Sequence, residues 1–126
     1  MSKSHIELGQ KGEQRAVDFL KANGYNIVDL DYRTPLGQID IIAKDKRTIC
    51  FIEVKTRKSA GFGRPFEAVG ARKQRKISQV ALIFLKQNKA LRSPARFDVL
   101  SIYYAGRQPK IELIKNAFNL SDGYLY

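Results

Sequence analysis

The chain is poor in several residue types that small proteins use for covalent or metal chemistry. Its one cysteine, Cys50, cannot close an internal disulfide and cannot build a thiolate metal site alone. It stands between Ile49 and Phe51, where a thiol serves as a small buried hydrophobe. The one histidine, His5, lies near the terminus with no partner in sight and reads as solvated. No apolar run reaches the 18 or so residues that a membrane span requires. Residues 1–5 lack the apolar stretch of a signal peptide. These absences point to a cytoplasmic protein without a membrane partner. Repeats, low-complexity segments and linkers are missing too, so residues 1–126 read as a single domain with a core over about 8–118 and loose ends.

Acidic residues are also few: 12 Asp and Glu stand against 23 Lys and Arg, a formal net charge of +11. A small chain this basic needs an anionic partner, and nucleic acid is the commonest. An anionic membrane surface is the weaker alternative, because no basic amphipathic anchor or lipidation motif is present. The 44% hydrophobic and 28% charged residues fit a globular protein, so the charge sits on a folded surface.

Against that background, the positions of the acids matter. The stretch Gly37-Gln-Ile-Asp-Ile-Ile-Ala-Lys-Asp-Lys-Arg-Thr-Ile-Cys-Phe-Ile-Glu-Val-Lys-Thr56 reads as two strands joined by a tight charged turn at Asp45, Lys46 and Arg47. Both runs are rich in β-branched and aromatic residues and free of proline. A turn centred on Lys46 and Arg47 sets Asp40 opposite Glu53; one centred on Asp45 and Lys46 sets it opposite Phe51. Either register predicts Asp40, Glu53 and Lys55 on one face of the sheet. Ile39, Ile41, Ile52 and Val54 bracket the two carboxylates. At about 4 Å apart, two such charges repel by roughly 4 kcal/mol at an effective dielectric near 20. Lys55 offsets part of that cost, and a hard divalent cation with oxygen ligands would offset the rest.

The remaining pattern predicts the order α-β-β-β-α-β-β. Residues 8–23 form a helix stopped by Gly24, with Ala16, Val17, Phe19 and Leu20 as its apolar stripe. Glu13 precedes that stripe by three, four and seven residues and so lies on it, while Gly9 and Gly12 let the backbone approach the sheet. A carboxylate at a helix start also has a plain electrostatic reason to be there. Strands follow at 25–33 and in the two runs above, and then a Gly-rich basic loop over 57–66. A second helix spans about 68–88, with Ile77, Val80, Ala81, Phe84 and Leu85 facing the core. Its first turns carry Arg72, Lys73, Arg75 and Lys76, against the helix dipole; anion binding and an ordinary solvated face both account for them. Strands at 96–104 and 110–114 complete an α/β sandwich with a mixed sheet, and Asn116 to Phe118 dock on the core.

Asp40 followed by Glu53-Val54-Lys55 resembles the PD-(D/E)xK motif of restriction-endonuclease-like nucleases. Gly12-Glu13, Gly24-Tyr25, Gly37-Gln38-Ile39-Asp40, Phe51 to Arg57, Arg96-Phe97-Asp98-Val99 and Asn116-Ala117-Phe118 together resemble the YraN-type family of uncharacterised bacterial proteins. The resemblance spans residues 9–118. It implies a restriction-endonuclease-like fold, a mixed β-sheet flanked by helices, similar to Holliday-junction resolvases. The family usually has Glu where this chain has Gln38, which retains an oxygen acceptor but loses a charge. The resemblance further implies that Asp40 and Glu53, with the Val54 carbonyl, hold Mg²⁺ or Mn²⁺. Lys55 would orient water or stabilise transition-state charge, Glu13 would be an outer ligand, and Gln38 would support the site by hydrogen bonding. Arg57, Lys58, Arg64, Lys73 and Lys76 are phosphate-contact candidates. Two functions fit best: a metal-dependent nuclease acting on nucleic acid, DNA first, branched or single-stranded; or a non-catalytic nucleic-acid-binding module with a degenerate nuclease site. A basic structural or partner-binding protein, with plain ion pairs at Asp40, Glu53 and Lys55, fits three charges within two apolar strands poorly. Cleavage of a junction would call for a two-fold homodimer.

Overall fold

The computed structural model describes residues 3–57, 70–105 and 107–118. Among them, two helices and five strands follow the expected order: α1 (Lys3–Ala22), β1 (Asn26–Thr34), β2 (Gly37–Asp45), β3 (Thr48–Arg57), α2 (Ala71–Gln87), β4 (Ala95–Ala105) and β5 (Gln108–Phe118). The strands form one mixed sheet in chain order, β1-β2-β3-β4-β5. Only β3 and β4 run parallel, because the connection containing α2 carries the chain back across one face. Helix α1 starts five residues before the expected position. Gly9 and Gly12 weaken helix propensity in that region, yet no proline interrupts residues 3–11, and the helix runs through both glycines.

Each helix seals one face of the sheet. On the α1 side, Ala16, Val17 and Leu20 pack with Tyr25, Ile41, Ala43, Cys50, Ile52, Leu100 and Ile102. On the α2 side, Ile77, Val80, Ala81, Phe84 and Leu85 pack with Ile39, Ile42, Phe51, Phe97 and Val99. These are the helix stripes expected from the spacing, and full burial of each large apolar side chain contributes about 1.5–3 kcal/mol. Aromatic edges fix the second layer: Phe84 meets Tyr32 and Phe51 edge-on at 5.4 and 5.9 Å, and Phe118 stacks on Phe97 at 4.7 Å. Strand β5 therefore runs beyond Ile114, and the segment expected merely to dock joins the sheet after a bulge. Cys50 is fully buried, and its thiol is pushed up to about 11 by burial and by the charge of Asp98.

Gly12 sets how closely α1 lies on the sheet. A Cβ at this position would run into the Thr56 hydroxyl, so any larger residue requires Thr56 or the helix to shift. Gly12→Ala is expected to lose about 1–3 kcal/mol in urea denaturation. Adding Thr56→Ala should restore most of that loss, since the two changes act on one contact. Equal losses in the single and double variants would show that the contact does not set the helix position.

Candidate active site

The β2–β3 hairpin pairs Asp45 with Thr48 and Ile41 with Ile52, so the turn centres on Lys46 and Arg47. Continued by one step, this register sets Asp40 across from Glu53. Pairing stops there. Strand β2 stays with β1 to the Thr34–Gly37 pair, and β3 stays with β4 to the Arg57–Tyr103 pair. The two central strands thus part at the acidic residues. Strand separation leaves β3 amides without backbone acceptors, and an unpaired buried amide is costly. Asp40 meets that need: its Oδ2 accepts the Val54 N–H at 2.9 Å.

The same point breaks the side-chain alternation. Residues two apart in a regular strand share a face, yet Ile39 packs on the α2 side and Ile41 on the α1 side. Across from Asp40 on β1, Asp31 adopts a left-handed φ of +55°, which aspartate tolerates better than most residues. The irregularity brings three carboxylates together: ligand oxygens of Glu13, Asp31 and Asp40 lie within 4.8 Å of one another. Glu13, Asp40, Val17, Leu30 and Ile41 line a cleft of about 140 Å³ beside them.

Glu53 and Lys55 share a face, as expected. Lys55 Nζ lies 3.4 Å from Glu53 Oε1, and Lys73 of α2 also donates to that oxygen. Two ammonium groups therefore compensate Glu53, while Asp40 remains between acids. Burial and the charge of Glu53 push the Asp40 carboxyl up to about 6, partly opposed by the Val54 amide. Burial and the neighbouring Asp31 raise Glu13. Lys55 is lowered by burial and by Lys73, whereas for Lys73 burial is outweighed by the bonds to Glu53 and Lys55 and the charges of Glu53 and Asp40 together, which raise it.

Asp40 and the exposed Glu13 line the acidic cleft, while Glu53, held by Lys55 and Lys73, stands near enough for its charge to act on Asp40. Val54 contributes its N–H; its carbonyl leaves an extended strand on the same side. Gln38 is not part of this group. It lines a separate open cleft with Arg33 and Lys76. Lys73 binds Glu53 rather than standing free for phosphate, and Lys76 is exposed. Lys58, Arg64 and the side chain of Arg57 lie outside the described residues.

A second polar cluster sits at the opposite end of β3 and β4. Asp98, fully buried, accepts Arg96 Nε at 3.0 and 3.1 Å and the Asn116 N–H at 2.8 Å. Arg96 also reaches the Tyr25 hydroxyl at 2.8 Å and Asp45 at 3.2 Å. The bulge in β5, with Asn116 at φ +55°, aims that amide at Asp98.

Fold and site together define a class: a mixed α/β protein with an acid–lysine cluster where two central antiparallel strands part. The model of "Uncharacterised protein family UPF0102" matches residues 12–102. A UPF0102 protein of Geobacter metallireducens is 47% identical over 121 residues, covering 96% of this chain and 99% of that protein. Those of Desulfosudis oleivorans and Caldicellulosiruptor saccharolyticus are 49% identical over 113 residues and 48% over 114, covering 90% and 97% of their own lengths. This chain belongs to the UPF0102 family, the YraN-type family whose motifs it carries. No helix among the described residues is long and apolar enough to cross a membrane.

Proposed function

We propose that this protein is a metal-dependent nuclease of the restriction-endonuclease-like type, hydrolysing phosphodiester bonds in nucleic acid, with DNA as the substrate. The observation that carries the proposal is Asp40. It is a half-buried carboxyl beside Glu13 and Asp31, pushed up to about 6 by desolvation and by the charge of Glu53. An all-oxygen donor set of this kind fits Mg²⁺ or Mn²⁺, which prefer carboxylates and retain waters. Such an ion, when bound, supplies Lewis-acid polarisation of a phosphoryl oxygen and a more acidic water.

The chain's own residues do the rest. Asp40 of β2, with Glu13 and Asp31 beside it, would offer the cation its oxygens, and Glu53 of β3 would add a further carboxylate from the neighbouring strand. Both ammonium contacts to Glu53 fall on Oε1. Lys55, 25% exposed and 3.4 Å from Glu53, would orient the attacking water or meet charge developing on the phosphoryl oxygens. The +11 net charge draws the polyanion in and sets its salt dependence.

Lys55→Met is expected to reduce Mn²⁺-dependent cleavage of single-stranded and branched DNA by at least about a hundredfold. Its affinity for the same DNA in EDTA should stay within about twofold of wild type, since one half-buried cation is removed. The alternative is a non-catalytic binding module, favoured by the full compensation of Glu53 by Lys55 and Lys73. Strong salt-dependent binding by wild type with no cleavage in any metal would establish that alternative instead.

A further inference from the structure

Gln38 and Asp40 stand two residues apart on β2, about 7 Å along an extended strand, yet they line different clefts. The Asp40 cleft is acidic. The Gln38 cleft, about 340 Å³, is walled by the β1–β2 turn on one side and α2 on the other. It carries Arg33 and Lys76 as cations, Gln38 as an amide and Pro35 and Leu36 as an apolar rim, with no carboxylate among the described residues that line it. Leu36 is 47% exposed although it is a large hydrophobe at a turn tip. Arg33 pairs with Asp31 at 3.3 Å, but both side chains are largely exposed, so the pair is weak and the guanidinium can turn toward the cleft.

The position of this cleft relative to the acidic opening is what gives it meaning. Lys76 follows Lys73 by three residues, on the same side of α2 and about 4.5 Å further along its axis. Lys73 is already at Glu53. Lys73 at Glu53 is thus followed on α2 by Lys76, which lines the cleft together with Arg33.

We infer that the Arg33–Gln38–Lys76 cleft is a nucleotide subsite beside the acidic opening. It takes the backbone phosphate adjacent to the scissile one between Arg33 and Lys76. Gln38 lines the site as an uncharged side chain that does not repel the phosphate, and Pro35 and Leu36 support the base or sugar. The inference rests on the nucleic-acid reading above and assigns the strand a direction, from the opening at Asp40 toward the β1–β2 turn. It also gives Gln38 a different task from metal support. An uncharged amide suits a phosphate cleft, where a carboxylate would repel the ligand.

The test uses the full chain and a short fluorescein-labelled oligothymidylate in EDTA, where cleavage does not interfere. Anisotropy gives affinity as a function of salt for wild type, Arg33→Gln/Lys76→Gln and a control of equal charge change, Lys86→Gln/Lys89→Gln, at the exposed end of α2 and in the turn that follows it. The cleft variant should bind about tenfold more weakly, with a log–log salt slope shallower by about 0.7 for the phosphate no longer neutralised. The control should stay within about twofold, and Gln38→Glu should weaken binding where Gln38→Ala does not. Equal effects of the two double variants would overturn the subsite, leaving only long-range attraction. Failure of wild type to bind oligothymidylate at low salt would sink the nucleic-acid reading itself, a separate outcome. The stability gain from Mn²⁺ should persist in the cleft variant, which shows that the fold and the acidic opening are intact.

Discussion

Asp40→Asn is expected to make the metal-free protein more stable at pH 7.5, by about 2 kcal/mol. The native carboxyl is held at about 6, against an ordinary value of 3.8. That gap corresponds to about 3 kcal/mol at about 1.36 kcal/mol per pH unit, of which partial solvent access and coupling to Glu53 leave about 2. Because the native value lies above the unfolded one, ionising Asp40 weakens the fold. The penalty is absent below about pH 4, grows as pH rises toward 6, and is complete above that. Asparagine removes the charge yet retains an oxygen for the Val54 N–H. Urea denaturation in EDTA at pH 4.5 and 7.5 should show a widening advantage for the variant at the higher pH. Adding Mn²⁺ should then stabilise wild type and leave the variant unmoved. A variant that is weaker than wild type in EDTA at pH 7.5 would mean that Asp40 is already compensated, and the argument for a missing cation would fail.

The largest loss is expected at the other end of the sheet. Asp98→Ala should cost about 3–5 kcal/mol, because it strands a half-buried guanidinium and orphans the Asn116 amide. Asp98→Asn retains an acceptor and should lose less. The informative variant is Arg96→Met/Asp98→Leu. Removing both charges together should cost less than Asp98→Ala alone, since the expense lies in an uncompensated charge. A loss below about 1 kcal/mol for Asp98→Ala would show that water replaces the carboxylate at that position.

The sheet and both helices were legible because their burial follows simple periods. Ile77, Val80, Phe84 and Leu85 recur at helical spacing, and Ile49, Phe51, Ile52 and Val54 can only be a strand. The hairpin register was open between two choices, since neither Lys46 nor Arg47 has the glycine or asparagine signature of a two-residue turn. Lys46 takes a φ of +58° all the same. Asp31 went unseen because its role depends on a paired break in β1 and β2, a tertiary feature with no local mark. Lys73 was legible as a base in the wrong place for the helix dipole, but not as the partner of a residue twenty positions away. The Arg96–Asp98 network did leave a signal. An aspartate between Phe97 and Val99 in a buried run requires a partner, and the arginine two residues earlier is the nearest one.

The hydrogen bond between Asp40 and the Val54 amide has a practical consequence. The ladder bonds that pair β3 with β4 end on backbone carbonyls, whose strength changes little with pH or ligand. This one ends on a group that gains or loses a proton near pH 6 and would share its oxygens with any cation that arrives. The Val54 amide proton is therefore a gauge wired into the scaffold. Its hydrogen-exchange rate and its chemical shift follow the charge carried by one side chain, without any label added to the molecule.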